Sequence, residues 1–343
     1  MFGLVRKMLF HPRTYEPRLE SKLTRGNSMK LIDRKKTALR VLAAAVALVV
    51  IGLVAAPAQA ASFSFRYTYS GPVQIHLSDW TTVSFYPGNT PGGTTSCTGG
   101  VACEAQELGG PKNPRSAQED EWGVFRIDQI LALQGTPGHP SGSILWANGD
   151  ANSELTGIFR GIQDLSVQLS NGAGTIDAGQ SDIGARAVVY LNDAGTFDAS
   201  GPQTANRTGI DTFTGISGGS FFLGVDFASG VSTDPSIFFH DIVNSGAPFV
   251  SNATAFGNVN GGSAAPIFDT NAQPSLQGNR DLKFVINEDA GQLALLFPRS
   301  DFDTFSSDPI TAAVLVPAPL TLTLLGVSLA GLSGLSWLRK RRV

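Results

Sequence analysis

Between residues 61 and 315 the chain reads as short alternating or apolar runs separated by Gly, Asn, Asp, Ser and Pro. Ser62–Ser70 (SFSFRYTYS) sets Phe63, Phe65, Tyr67 and Tyr69 on one side and small or polar residues on the other, the period-two signature of a half-buried strand. Further strands are expected at Val73–Leu77, Thr81–Tyr86, Trp122–Leu133, Ser143–Ala147, Leu155–Phe159, Leu165–Leu169, Ala185–Leu191, Ser220–Asp226, Ser236–Ile242, Asp281–Asn287, Gln292–Phe297 and Thr311–Val316. Helical periodicity over ten or more residues is nearly absent, and the 39 glycines disfavour helix. Ser200–Ser220 and Ser245–Gly278 are rich in Gly, Asn, Ser, Thr and Ala and read as long surface loops. The pattern predicts an all-β, antiparallel sandwich or jelly-roll-like domain, with no internal repeat.

The two ends have a different pattern. Lys30, Arg34, Lys35, Lys36 and Arg40 form a basic segment, Val41–Ala56 carries no charge, and Ala58-Gln59-Ala60 has the small-x-small form read by signal peptidase. This predicts a signal peptide over residues 29–60, cleaved between Ala60 and Ala61. Residues 1–28 are polar and basic and read as an over-extended start or leader, Met29 being a natural first residue. At the other end Leu320–Leu338 is free of charge and spans roughly 28 Å as a helix, close to a bilayer's hydrocarbon thickness. Eight leucines each favour insertion by about 0.5 kcal/mol, and Arg339, Lys340, Arg341 and Arg342 at its end would keep the C-terminus cytoplasmic and the preceding domain outside.

Charge supports the division. Residues 61–315 hold ten Lys and Arg against twenty-five Asp and Glu, whereas the whole chain has 25 against 28. A domain this acidic is excluded as a nucleic-acid binder, which needs a basic surface.

Val316-Pro317-Ala318-Pro319, the apolar run and the terminal basic cluster together resemble a PEP-CTERM sorting signal over residues 316–343. Pro317 and Pro319 match the family's prolines, Leu325-Gly326 and Ala330-Gly331-Leu332 its helix, and 339–342 its basic end, while Ala318 departs from the family's Glu. The resemblance implies processing by an exosortase near the Pro-x-Pro motif. It also implies a Gram-negative host that makes exopolysaccharide, transient residence in the inner membrane, and a cell-surface or extracellular-matrix destination. Independently of the family, two prolines lock an extended, donor-poor backbone that stays open to an enzyme.

The chemistry of the middle domain is sparse. Cys97 and Cys103 flank a small Gly-rich loop, and in an oxidising compartment a disulfide is expected; free thiols or a metal pair are the alternatives, the second lacking nearby histidines. Glu119, Asp120 and Glu121, and separately Asp301, Asp303 and Asp308, are clustered carboxylates that suit Ca²⁺ or simply form solvated acidic loops. Gly215–Gly219 fits G-x-S-x-G, but the following SFFLGVDF is strand-like rather than helical, so a turn is the better reading. His240 and Asp241 are neighbours able to orient one another; His76 and His139 are isolated. No catalytic set and no cofactor is expected. The pattern points to a non-enzymatic surface or biofilm-matrix protein with signal peptidase and exosortase as processing partners and exopolysaccharide as a contact. The alternative is a secreted carbohydrate-binding or carbohydrate-active domain, with Trp80, Trp122 and Trp146 as the aromatics to inspect.

Overall fold

The computed structural model describes residues 63–246 and 249–315, so the signal peptide and sorting tail lie outside the described residues. The chain is mostly strand: β1 (Gly71–Val83), β2 (Thr94–Thr98), β3 (Glu121–Ala132), β4 (Ile144–Ala147), β5 (Ser153–Ser170), β6 (Ala173–Gln180), β7 (Arg186–Asp193), β8 (Ser220–Ala228), β9 (Phe239–Gly246), β10 (Phe249–Gly261), β11 (Gln273–Ser275), β12 (Gly278–Arg280), β13 (Leu282–Asp289) and β14 (Thr304–Val314). Three short helices interrupt them: α1 (Gly100–Glu104), α2 (Ala265–Phe268) and α3 (Ala290–Leu296).

The pairings close on themselves. β3 pairs with β1, β1 with β14, β14 with β13, β13 with β10, β10 with β8, β8 with β7, β7 with β5, and β5 returns to β3, all antiparallel. This is a barrel-like sheet of eight staves, and closure removes free edges. Some staves are broken. β5 pairs with β7 over Ser153–Arg160 and with β6 over Ile162–Ser170, so β6 and β7 follow one another along it. β8 and β9 share β10 in the same way. The break on β5 falls at Gly161, where φ is +74° and an added Cβ would meet the Gly184 carbonyl oxygen at 2.1 Å. Only glycine fits there.

Alternation explains why several strands are buried on both faces. Leu77 and Asp79 of β1 line the interior, whereas Trp80 joins an outer cluster with Trp122, Val124, Ile158, Val188, Phe213 and Phe305. Segments 194–219 and 290–303 lie over this outer face, supplying Phe197, Phe213, Ile216, Leu293 and Phe302. Inside, Gly123 faces Phe159 and Gly157 faces Phe125 across the β3–β5 ladder, each ring filling the space over the opposite glycine.

Four expectations are corrected. Residues 63–70 are extended and their aromatics do pack inward, but they form no ladder strand; Arg66 N–H makes a single bond to the Leu145 carbonyl. The expected strand Gln292–Phe297 is instead the greater part of helix α3 and its C-cap, Phe297: the Asp289 carboxylate caps the helix N-terminus by accepting from Gln292 N–H at 3.0 Å. The proposed loop Ser245–Gly278 contains β10, whose inward Ser251, Ala253 and Ala255 are too small to produce a hydrophobic pattern. Ser200–Ser220 is irregular as expected, yet it buries Arg207, Phe213 and Ile216 instead of merely covering the surface.

Candidate functional site: a carboxylate layer inside the barrel

One end of the interior is apolar, built from Val73, Ile75, Leu77, Ile127, Phe284, Ile310 and their neighbours. The opposite end is closed by Tyr86, Val167, Leu169, Val243 and the Cys97–Cys103 disulfide, whose Cα atoms are 5.3 Å apart. Between the two apolar ends lies a layer of acids: Asp79, Asp120, Glu121, Asp164, Asp241, Glu288 and Asp308 are all buried. All but Asp120, which precedes β3, arrive by alternation, at positions in phase with apolar neighbours, as in Phe239-x-Asp241-x-Val243 and Phe284-x-Ile286-x-Glu288.

Two small cavities of about 50 and 20 Å³ adjoin here, sharing Glu121, Phe239 and Glu288 in their walls. They have room for a few water molecules. Drug-sized ligands occupy pockets of ~300–1,000 Å³.

The acids have few partners. Tyr86 Oη donates to Asp164 Oδ2 at 2.7 Å, and Asp164 N–H donates to Asp120 Oδ2 at 2.6 Å. Asn287 donates twice to Asp308, at 2.8 and 2.7 Å, and Thr81 Oγ1 donates to Asp79 Oδ2 at 3.1 Å. Asp79 Oδ1, Asp241 Oδ1 and the hydroxyls of Ser251, Thr304 and Ser306 make no hydrogen bond among the described residues. None of the seven takes part in a salt bridge there. Burial, and then the neighbouring Asp308, pushes Asp79 up to about 7. Burial and then Asp164 push Asp120 up to about 10. Burial raises Asp164 to about 7 and Asp241 to about 6. Glu121 and Glu288 are held well above the carboxylate range, by burial first and then by Asp164 and Glu121 respectively. An isolated buried negative charge is so costly that such groups take a proton instead.

The acids singled out in the sequence divide sharply. Glu119 sits outside the wall and pairs with Arg207 through two bonds of 2.7 and 2.8 Å, both side chains fully buried. Its oxygens also accept from Arg115 N–H at 2.7 Å and Gly161 N–H at 3.0 Å. The Arg207 guanidinium lies 4.4 Å from the Trp122 ring centre, a cation–π contact. Asp120 and Glu121 belong to the interior layer, so residues 119–121 are no solvated loop. Asp301 accepts from Thr204 N–H and Oγ1 at 2.7 and 2.8 Å, and Asp303 pairs with Lys112 at 2.8 Å. Both pin surface segments, while Asp308 faces inward. Neither proposed Ca²⁺ cluster therefore converges as a ligand set, and among the described residues no three His, Cys, Asp or Glu groups have metal-ligand spacing.

The remaining candidates are accounted for by packing. His240 Nδ1 is 2.6 Å from Asp177 Oδ1 on the outer face, whereas Asp241 points inward. The expected His240–Asp241 pair fails because adjacent strand residues face opposite sides. Ser217 Oγ bonds the Phe213 backbone, and β8 follows directly, as a turn requires. Trp80, Trp122 and Trp146 are buried and present no stacking face to solvent. The sequence pattern does not single out Asp79, Asp164 or Glu288, and marks Asp241 only as a neighbour of His240; the available signal is a lone acid at an inward phase of an apolar strand. Compared with protein-family models, curated proteins and solved structures, the chain finds no match.

Proposed function

We propose that this chain is an exported, non-enzymatic surface or extracellular-matrix protein. A signal peptidase would release it at Ala61 and an exosortase would process it near Val316-Pro317-Ala318-Pro319. One juxtaposition carries the reading. The last stave ends at Val314, Leu315 is half exposed, and the Pro-x-Pro motif begins at the next residue, so the processing signal follows the folded barrel without a spacer. The disulfide supports passage through an oxidising compartment. The filled interior and buried tryptophans support a role in packing or matrix contact more than one that takes a sugar into a cleft.

Mass spectrometry of the mature protein from its host tests this. The expected product starts at Ala61 and ends near Pro317–Pro319. Recovery of surface-located protein that still carries Leu320–Val343 would overturn the exosortase reading.

A further inference from the structure

Among the described residues the carboxylate layer has no countercharge. Asp79 faces it from β1, Glu121 from β3 with Asp120 just before, Asp164 from β5, Asp241 from β9, Glu288 from β13 and Asp308 from β14. The other staves bring neutral groups: Ala187 of β7, Phe227 of β8, Ile176 of β6 and Ser251 of β10, the last in register with Glu288. Glu107 and Tyr86 stand beside Asp120 and Asp164. Among the described residues no Lys, Arg or His lines either cavity, and His240, which favours the charged form of Asp241, is turned outward onto Asp177.

Several negative charges inside one closed barrel need a neutraliser. A metal ion would need converging oxygens, which this layer lacks among the described residues. Protons need only local donors and acceptors. Those are present: among the described residues Asp79 Oδ1 and Asp241 Oδ1 make no hydrogen bond of good geometry, and neither do their neighbouring hydroxyls, Ser306, opposite Asp79 in the β1–β14 ladder, and Ser251, beside Asp241.

We propose that the carboxylate layer is a proton-operated latch, holding the barrel closed in acidic to neutral surroundings and loosening it as the medium turns alkaline. The sign follows from linkage. These acids keep protons in the fold at pH values where the unfolded chain has lost them, so unfolding releases protons and stability falls as pH rises. The fall begins above about pH 4, the ordinary carboxylate range. It continues through the folded-state values of about 6 for Asp241, 7 for Asp79 and Asp164, and 10 for Asp120.

The test is thermal unfolding of the full chain in mild detergent, followed by tryptophan signal from pH 5.5 to 8.5. The expected Tm falls by on the order of 10 °C across that range. The double variant Glu121→Gln/Glu288→Gln, which mimics the protonated pair, should lose a large part of that slope and melt higher than wild type at pH 8.5. A flat or rising Tm in wild type, or an unchanged slope in the variant, overturns the proposal. If the variant does not fold, calorimetry of wild type at pH 7 in buffers of different ionisation enthalpy decides: proton release on unfolding supports the latch, and uptake or no exchange defeats it. Adding 1 mM Ca²⁺ (about the affinity of weak extracellular sites) at pH 8.5 closes the other route. A Tm rise in wild type that the double variant lacks would assign the layer to a metal instead of protons.

Discussion

Glu119 and Glu121 stand two residues apart and are both buried, yet one lies outside the barrel wall and the other within it. Outside, Glu119 has Arg207, two backbone N–H groups and an aromatic ring behind its partner. Inside, Glu121 has Glu288 and Asp164 as neighbours and no cation. The outer carboxylate has a countercharge; the inner ones are crowded together without one, and burial favours their protonated forms. Burial of a carboxylate therefore has no fixed energetic meaning in this protein. Its consequence depends on whether the opposing stave or overlying loop supplies a positive charge.

Turning the outer site into an inner one should have the largest effect. Arg207→Ala leaves Glu119 buried without its cation and empties the space over Trp122; a loss of about 3–5 kcal/mol is expected in denaturant unfolding at pH 7. The double change Glu119→Gln/Arg207→Met should recover most of that, because the cost lies in the unpaired charge. A double variant as unstable as Arg207→Ala would show that the pair's attraction, and not its compensation, holds the loop down.

A purely steric change to the interior should cost less and show no pH dependence. Gly157→Ala places a Cβ 2.2 Å from Phe125 Cζ and 2.7 Å from the Val188 carbonyl oxygen. A loss of about 1–3 kcal/mol is expected at pH 5.5 and 8.5 alike. Unequal losses at the two pH values would mean that the apolar half of the barrel is coupled to the acid layer.

Neutralising an inner acid should act with the opposite sign. Asp79→Asn is expected to be nearly neutral at pH 5 and to stabilise the domain at pH 8.5 by on the order of 2 kcal/mol, since Asp79 is ionised there only at the expense of the fold. Equal destabilisation at both pH values would place Asp79 with Glu119 as a charge the structure needs. The smallest effect belongs to the surface. Arg66 and Asp150 pair at 2.7 Å but are open to water, so Arg66→Ala should cost less than about 1 kcal/mol, and salt should abolish the difference.

The class of the domain was legible from period-two alternation, and staves such as β3, β7 and β8 lie where the pattern puts them. The departures have physical causes. The pattern divides β1 and β5 into two strands each because Ser78-Asp79 and Arg160-Gly161 interrupt the apolar runs; in the fold the β1–β14 ladder runs on through Ser78-Asp79, and β5 only changes partner, from β7 to β6, at Gly161. β10 looks like loop in the sequence because its inward positions are Ser and Ala, which suit a crowded interior and carry no hydrophobic signal. α3 resembles a strand in the sequence because Leu293 and Leu295 alternate, and the Asp289 cap decides for helix. Of the acid layer, Asp120, Glu121 and Asp308 stand out in the chain as members of local clusters and Asp241 as the neighbour of His240, but the fold regroups them. Asp308 belongs with Asp79 and Asn287 and is not part of a set with Asp301 and Asp303.

By itself the amino-acid order determined what is local: the alternation that makes strands, the apolar and basic segments expected to act as addresses at the two ends, and the Cys97–Cys103 loop short enough to close. Tertiary structure alone decided which acids meet. Glu119 finds its arginine 88 residues away, and the inner carboxylates come together from six staves. Charge compensation is a property of proximity in space, and closing the barrel is what creates that proximity.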